Sequence, residues 1–385
     1  MKIFFASLFF ILLHLLPLRA QSYLSVTAKR GDGILVLLGR YGLDRSPCNL
    51  KKFCQLNKLK ENDYLMVGKN YKLPILEYKY NGRSIRSTVG ISSWQRAKQI
   101  ERYNESMELF RLKTNFKNKN APLWYPHHLK ACAVNLEKHI PKGRHFPILG
   151  KEFADVPLKD KQLAGAVYYL VSGHGGPDPG AVATYKGKPI CEDEYAYDIT
   201  LRLARELLSH GALVYLIVRD ANDGIRQLEY LPKDEDERCW PSESIPKGQS
   251  ERLSQRSDVI NKLYRENLRK GLYYQRLVEI HVDSRSKKQR IDLFFYHYPE
   301  SLRGRELARR LHQHIRTKYK QHRVSGEYKG TVNARDLHML REVIPTPVFI
   351  EVGNIQNPKD QKRILLPANR QALADWLAEG LMKDY

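Results

Sequence analysis

The residue with the clearest chemical potential is His174, an imidazole in a glycine-rich turn. The turn follows the apolar run Val167–Val171, which has the length and composition of a buried strand. Four glycines between positions 173 and 180 give the backbone the freedom for a sharp turn. A phosphate-binding loop is a poor interpretation, because the Gly-Lys-Ser/Thr ending of a P-loop is absent. The simplest alternative is an ordinary turn with a solvated histidine, so a metal or catalytic role for His174 depends on partners elsewhere in the chain.

His281 and an acidic cluster are the candidate partners of His174. The segment 277–284 is typical of a strand that again ends in a histidine, with Asp283 as a candidate hydrogen-bond acceptor behind the ring. The acidic sequence Glu192-Asp193-Glu194 directly precedes a helix predicted for residues 195–209. A zinc hydrolase needs about three protein ligands and an open position for water. Two strand-terminal histidines and one acidic residue suit that need.

Glu351 is a carboxylate inside the otherwise apolar segment 347–354, where a charge is costly to bury without a partner. Each of these residues also has a purely structural explanation. A strand histidine is often a core or edge residue, acidic residues at a helix start are favoured by the helix dipole, and Glu351 could pair with an arginine. The joint order of the residues along the chain is therefore more informative than any one of them.

The elements that must position these residues alternate between strands and helices. Apolar runs predict strands at 167–171, 212–218, 277–282, 293–297 and 348–352, and helices are predicted at 195–209, 252–267, 302–322 and 368–382. This alternation predicts an α/β fold with a single mixed sheet flanked by helices. The histidines then stand at the carboxyl ends of strands, where α/β sheets place their chemistry.

The order of these motifs resembles the zinc-dependent N-acetylmuramoyl-L-alanine amidase family over residues 165–385. The matching motifs are Gly-His-Gly-Gly-x-Asp-x-Gly-Ala at 173–181, an acidic residue that opens the next helix, Ile-His at 280–281, and Glu-x-Gly at 351–353. The resemblance implies a secreted cell-wall hydrolase. It would use Zn²⁺ to activate water and a glutamate as general base, and would cleave the amide bond between N-acetylmuramic acid and L-alanine of peptidoglycan.

The family's site residues carry over to four positions. His174 and His281 match its zinc histidines, and Glu351 matches its catalytic glutamate. Counting back from the helix core favours Glu192 as the third zinc ligand, with Glu194 as the alternative because it lies closer to the helix body. An inserted Tyr185–Lys188 and a long polar insertion at 223–249 leave this ligand and the shape of the cleft open.

Residues 22–75 resemble a LysM module, the small glycan-binding fold of wall enzymes. The pattern predicts a strand, two helices and a strand, and the matching residues are Gly31-Asp32, Tyr41-Gly42, Asn57, Gly68 and Leu73-Pro74. Residues 76–150 are expected to form a basic connecting segment that packs on the catalytic domain, with an amphipathic helix over 94–116. A membrane-surface role for that helix is the weaker alternative. The zinc amidase domain is assigned to residues 151–385.

The start of the chain predicts export. Residues 1–20 have the apolar core of a signal peptide, interrupted by His14 and Pro17 and ending at Ala20, and no later segment suggests a membrane span. The protein is therefore expected in the periplasm, at the cell wall or outside the cell. Its 65 Lys and Arg against 42 Asp and Glu give a net charge of +23, which favours anionic partners, and export makes nucleic acid the least suitable of these.

Five cysteines, at positions 48, 54, 132, 191 and 239, permit disulfides in an oxidising compartment. Cys48 with Cys54 and Cys191 with Cys239 are the candidate pairs, and the odd number leaves at least one thiol free.

Three functional hypotheses follow from the sequence. The first is a secreted peptidoglycan amidase that a LysM-like module tethers to glycan strands. The second is a non-catalytic protein that binds peptidoglycan or regulates an amidase, and retention of all four site positions argues against it. The third is a zinc amidase or peptidase that acts on another exported substrate. The sequence leaves the oligomeric state open.

Overall fold

The computed structural model describes residues 22–44, 46–131, 136–322 and 327–385. The signal peptide predicted for residues 1–20 lies outside these ranges. The chain divides into two compact units, residues 1–133 and residues 134–385. None of the helices in the described ranges combines the length and the apolar character that crossing a membrane requires.

The N-terminal unit is built on a three-stranded antiparallel sheet in the order β1-β2-β3. Its elements are β1 (Ser22–Thr27), α1 (Ile34–Arg40), α2 (Pro47–Asn57), β2 (Asn70–Lys79), α3 (Ile85–Val89), α4 (Trp94–Leu109), β3 (Pro122–Pro126) and α5 (His127–Ala131). The first four have the predicted order of strand, helix, helix and strand. Asn57 joins the end of α2 to β2, because its side chain bonds both the amide and the carbonyl of Lys72.

The structure corrects the prediction of a connecting segment at 76–150. Residues 76–131 belong to the N-terminal unit, where β3 pairs with the second half of β2 and Trp124 is buried in the core with Phe53 and Leu73. The helix predicted over 94–116 ends earlier, at Leu109, and Arg111 then adopts a left-handed conformation with φ 56°. The physical reason is that β2 is longer than predicted, and its extension needs a partner strand for its backbone groups.

The C-terminal unit contains the mixed sheet that the sequence predicted, in the order β13-β12-β14-β11-β4-β7. The central strands β4, β11 and β14 are parallel to one another, and β12 runs antiparallel to β14. The strands of the unit are β4 (Ala166–Ser172), β5 (Val182–Tyr185), β6 (Lys188–Cys191), β7 (Leu213–Leu216), β8 (Val218–Arg219), β9 (Arg238–Cys239), β10 (Glu243–Ser244), β11 (Tyr274–Asp283), β12 (Phe294–His297), β13 (Thr331–Ala334) and β14 (Thr346–Asn354).

Helices cover both faces of this sheet. They are α6 (Glu192–Ser209), α7 (Gln249–Arg269), α8 (Leu302–His322), α9 (His338–Arg341), α10 (Pro358–Leu365) and α11 (Pro367–Asp384). Alternate residues of β4 face opposite layers: Tyr168 and Leu170 pack in the core that includes α6, α8 and α11, whereas Val167 and Tyr169 pack with α7 and α9. This period of two explains why β4 is apolar throughout its length.

The two insertions form small accessory sheets. Residues 185–188 make the turn of the β5–β6 hairpin, in which Lys186 and Gly187 both have positive φ, as a tight hairpin turn requires. The polar insertion at 223–249 contributes β9 and β10: β9 pairs with β8 and β10 pairs with β9, which makes a small three-stranded antiparallel sheet.

Neither of the two candidate disulfides, Cys48 with Cys54 and Cys191 with Cys239, forms. Cys54, Cys191 and Cys239 are buried free thiols, whereas Cys48 is disulfide-bonded. Cys54 and Cys239 each lie in a hydrophobic core cluster, and these thiols are therefore packed as small apolar side chains.

A buried ionic network connects α6, α11 and the insertion. The carboxylate of Asp198 accepts hydrogen bonds from Arg202 at 2.7 Å, from Arg370 at 2.5 Å and from the backbone amide of Arg226 at 2.7 Å. Both guanidinium groups also donate to the carbonyl of Arg226. Asp198 is therefore the charge that makes burial of two arginines tolerable.

Replacing Asp198 with alanine is expected to lower the free energy of unfolding by about 3–5 kcal/mol, because two buried guanidinium groups lose their counter-charge. Urea denaturation followed by circular dichroism measures this loss. The control is Glu206→Ala on the same helix, whose pair with the half-exposed Lys159 is expected to contribute no more than about 1 kcal/mol. Equal losses in the two variants would contradict the assignment.

Candidate active site

The candidate site lies where β4, β11 and β14 end side by side. Because these strands are parallel neighbours, their carboxyl ends meet at one edge of the sheet. His174 follows β4, His281 lies near the end of β11, and Glu351 is the register partner of His281 on β14. The amide of Gly173 donates to the carbonyl of Ile280 at 2.7 Å and extends the β4–β11 pairing into the His174 turn.

Two glycines allow the polar side chains to approach one another. A Cβ atom on Gly173 would lie 2.3 Å from the His281 ring, and one on Gly180 would lie 2.6 Å from the His174 ring and 2.8 Å from Glu192 Oε2. His174 itself adopts a left-handed conformation with φ 62°, which is strained for a side chain of this kind. The two glycines therefore allow the turn to bring the His174 imidazole close to Glu192 and His281.

Glu192 lies between the two imidazoles. Its Oε2 is 3.3 Å from His174 Nε2, and its Oε1 is 2.8 Å from His281 Nδ1. One ligand atom from each of these three residues lies within 4.8 Å of the others, so the set is able to hold a metal ion.

The alternative ligand Glu194 is not part of this set. It is buried, its Oε2 pairs with Arg226 at 2.8 Å, and its Oε1 accepts a hydrogen bond from the amide of Asp234. Successive residues of a helix point about 100° apart, so Glu192 and Glu194 leave the first turn of α6 in different directions.

Each histidine is held from behind by a carboxylate. His174 Nδ1 is 3.0 Å from Asp178, which also pairs with Arg252 at 2.6 Å, and His281 Nε2 is 3.3 Å from Glu279. Such partners fix the orientation of a metal-binding ring and leave its other nitrogen free for the metal.

Asp283, the acceptor predicted from the sequence, does not contact His281. Its carboxylate pairs with Arg285, and the register of β11 against β14 shifts between His281 and Asp283. Glu279 was missed, although its position two residues before His281 places both side chains on one face of a strand. No sequence pattern indicated the role of Arg252, because Arg252 lies on α7, far along the chain from Asp178.

The titration of these groups reflects their mutual contacts. Burial lowers the pKa of His281, but hydrogen bonds with Glu192 and Glu279 outweigh it and raise that pKa to about 10. Burial also lowers the pKa of His174, but hydrogen bonds with Asp178 and Glu192 outweigh this effect and raise that pKa to about 9. The same two histidines hold the pKa of Glu192 well below its usual range against the opposing effect of burial. Without a metal, protons therefore occupy the positions on the imidazoles that a cation would take.

Glu351 is a buried carboxyl beside this set. It is 7% exposed, and its Oε2 has no hydrogen-bond partner within the described chain. Burial raises its pKa to about 8, with His281 lowering it and Glu192 raising it further. Phe349, two residues earlier on β14, stacks on the His281 ring at 4.2 Å between centroids. Glu351 is consequently a carboxyl able to accept and to donate a proton near neutral pH.

Side chains able to hold a metal ion at the edge of an α/β sheet, beside a buried carboxyl, are an arrangement typical of metal-dependent hydrolases. The chain belongs to the N-acetylmuramoyl-L-alanine amidase family (Amidase_3), whose sequence model matches residues 169–383, more than half of the chain. The predicted family, fold class and enzyme class are thereby confirmed. The match does not extend to the N-terminal unit.

Similar proteins carry the same family name. The germination-specific N-acetylmuramoyl-L-alanine amidase of Bacillus subtilis (strain 168) is 24% identical over 221 residues, which are 57% of this chain and 80% of that protein. The CwlD amidase of Clostridioides difficile, solved in complex with the GerS lipoprotein, is 21% identical over 57% of this chain and 97% of that one, with a TM-score of 0.42. The amidase AmiC2 of Nostoc punctiforme is 20% identical, covering 58% and 98% of the two chains, with a TM-score of 0.40.

The two candidate glutamates are separable by metal analysis. Glu192→Gln is expected to weaken divalent-metal binding by at least about tenfold, because the one carboxylate between the histidines loses its charge. Glu194→Gln is expected to retain the metal at the two histidines, since its partner is Arg226. Elemental analysis of both dialysed proteins measures the difference. Metal loss in Glu194→Gln with retention in Glu192→Gln would reverse the assignment.

Proposed function

We propose that this protein is an exported, zinc-dependent peptidoglycan amidase. It would hydrolyse the bond between the lactyl carbonyl of N-acetylmuramic acid and the amino group of L-alanine. The observation that carries the proposal is the convergence of His174, Glu192 and His281 within 4.8 Å, in a chain of this amidase family.

The donor set suits zinc. Two imidazole nitrogens and one carboxylate oxygen are a familiar catalytic zinc environment that leaves a fourth position for water or substrate. A set of mixed nitrogen and oxygen donors also favours zinc over the harder cations, which prefer oxygen alone. When bound, zinc supplies Lewis-acid polarisation of the carbonyl and lowers the pKa of water toward about 7.

The protein's own residues then manage the proton. A nearby cation favours the ionised form of Glu351, so its carboxylate is available as a base despite its burial. Glu351 takes a proton from the attacking water as the new carbon–oxygen bond forms. The same carboxyl delivers that proton to the leaving nitrogen as the carbon–nitrogen bond breaks, so the products are a free lactyl carboxylate and an L-alanine amino terminus.

For the N-terminal unit we propose a role in glycan binding. Leu35 and Val36 at the start of α1 are exposed, as are Tyr64, Met66 and Val67 before β2, and Tyr64 is 94% exposed. Backbone hydrogen bonds between Ala28 and residues 68 and 69 join the chain that leads into α1 to the chain that leads into β2. Clustered apolar and aromatic groups on a surface mark a binding site, and aromatic rings stack well on the apolar faces of sugars.

Export and a location at the cell wall are consistent with two further observations. Cys48 is disulfide-bonded, and stable disulfides are characteristic of oxidising compartments. The net charge of +23 suits the anionic polymers of a cell wall. Peptidoglycan is accordingly the proposed partner of both units.

Replacing Glu351 with glutamine is expected to lower turnover by about 10²–10⁴-fold while zinc content stays at the wild-type level, because the amide cannot accept the proton. Release of new amino termini from purified peptidoglycan measures turnover. Mass analysis of the products distinguishes the amidase from a peptidase, since only the amidase liberates complete stem peptides that begin with L-alanine.

The matched control is Glu342→Gln, which removes an exposed carboxylate paired with Arg341 and is expected to leave turnover unchanged. Wild-type turnover in zinc-loaded Glu351→Gln would refute the role of Glu351. Failure of the zinc-loaded wild-type protein to release any peptide would instead support the non-catalytic hypothesis.

The glycan site is tested separately with peptide-free glycan strands, which offer no bond for the amidase to cut. Tyr64→Ala is expected to weaken binding about tenfold, or roughly 1.4 kcal/mol, because the exposed ring is a principal contact. Leu228→Ser, which removes an exposed apolar side chain from the C-terminal unit, serves as the control and should bind normally. Equal binding by all three proteins would place the glycan contact elsewhere.

A further inference from the structure

Three buried carboxylates form a second cluster beside the candidate active site. One carboxylate oxygen from each of Asp193, Glu194 and Glu237 lies within 4.8 Å of the others. The three residues are 1%, 2% and 5% exposed. Asp193 and Glu194 come from the first turn of α6, whereas Glu237 comes from the 223–249 insertion, directly before β9.

This cluster is distinct from the ligand set of His174. Glu192 points toward the histidines, while Asp193 and Glu194 leave the helix in other directions. Glu237 connects the cluster to the His174 turn, because its carboxylate accepts a hydrogen bond from the amide of Gly176 at 2.7 Å. No residue is shared between the two sets.

The charges of the cluster are poorly compensated. Arg226 forms salt bridges with Glu194 and with Asp223. In the described ranges it is the one Lys or Arg that forms a salt bridge with any of the three carboxylates. Three carboxyl groups therefore share part of one positive group. Keeping all three ionised at this depth is costly unless a further cation is present.

A separate observation concerns one oxygen atom. Asp193 Oδ1 accepts a hydrogen bond from the amide of Glu194, but Asp193 Oδ2 is buried and has no hydrogen-bond partner in the described chain. Buried carboxylate oxygens almost always have a hydrogen-bond partner. An oxygen without one therefore indicates a bound water or ion.

We infer that Asp193, Glu194 and Glu237 bind a hard divalent cation, Ca²⁺ or Mg²⁺, at a site separate from the zinc ligands. An all-oxygen set of carboxylates is the environment that these ions prefer, in contrast to the mixed set of His174, Glu192 and His281. The ion would join the start of α6 to the insertion. Through Glu237 and Gly176 it would also steady the turn that carries His174. The inference does not depend on the proposed activity.

A nearby set gives the competing location. Carboxylate oxygens of Asp220, Asp223 and Asp234 also lie within 4.8 Å of one another, but Asp223 and Asp234 are only partly buried and Asp223 already pairs with Arg226. Asp234 Oδ1 also lacks a hydrogen-bond partner in the described chain, but it belongs to a partly exposed residue. The observations favour the cluster of Asp193, because all three of its residues are buried.

The experiment uses the full chain with zinc already bound. Calorimetric titration with Ca²⁺, and separately with Mg²⁺, is expected to show one added ion per chain and a rise in melting temperature. Glu237→Gln is expected to weaken this binding about tenfold or more, because the ligand loses its charge. Glu235→Gln is the matched control, since Glu235 is exposed in the same insertion and pairs with the side chain of Lys233.

A second variant separates ion binding from folding. Asp193→Asn keeps the size of the side chain but removes an ionisable oxygen ligand, so the ion-free protein is expected to melt close to the wild-type temperature, yet to lose the Ca²⁺-dependent rise. The inference is overturned if the wild-type protein binds neither ion at about 1 mM, the weak end of natural calcium sites. It is also overturned if Glu237→Gln binds like the wild type, or if Asp220→Asn alone abolishes binding.

Discussion

The contact of the Glu192 carboxylate with two imidazoles is the interaction on which the rest of the C-terminal unit depends. Oxygens of one carboxylate lie 3.3 Å from His174 and 2.8 Å from His281, and none of the three residues is fully exposed. Bringing such groups together requires three elements to converge: the turn after β4, the end of β11 and the first turn of α6. The parallel arrangement of β4 and β11 provides two of them at one sheet edge.

This convergence imposes conditions on its surroundings. Glycine is required at positions 173 and 180, since any Cβ there would enter an imidazole ring. The histidines need acceptors behind them, which Asp178 and Glu279 supply, and Arg252 balances the charge of Asp178. The site is thus a chain of polar contacts in which each group limits the freedom of the next.

The insertion at 223–249 is part of the same system and more than a surface loop. Its Arg226 carbonyl receives the guanidinium groups of Arg202 and Arg370, whose charges are balanced by Asp198. Its Glu237 bonds the amide of Gly176 beside His174. The start of α6, with three acidic residues in a row, consequently faces the active site on one side and the insertion on the other.

The sequence by itself determined the main elements of the C-terminal unit and the family of this protein, and it indicated the candidate site residues. Period and composition are local properties, so the five strands and four helices predicted for the C-terminal unit all have counterparts, and the motif order indicated the amidase family. Tertiary structure alone decided four further features. These are the different directions of Glu192 and Glu194, the contact of Glu279 rather than Asp283 with His281, the addition of β3 to the N-terminal sheet, and the buried free thiols. Each of these depends on which groups from distant segments meet in space, through helix direction, strand register and sheet pairing, and no local pattern of residues encodes such a meeting.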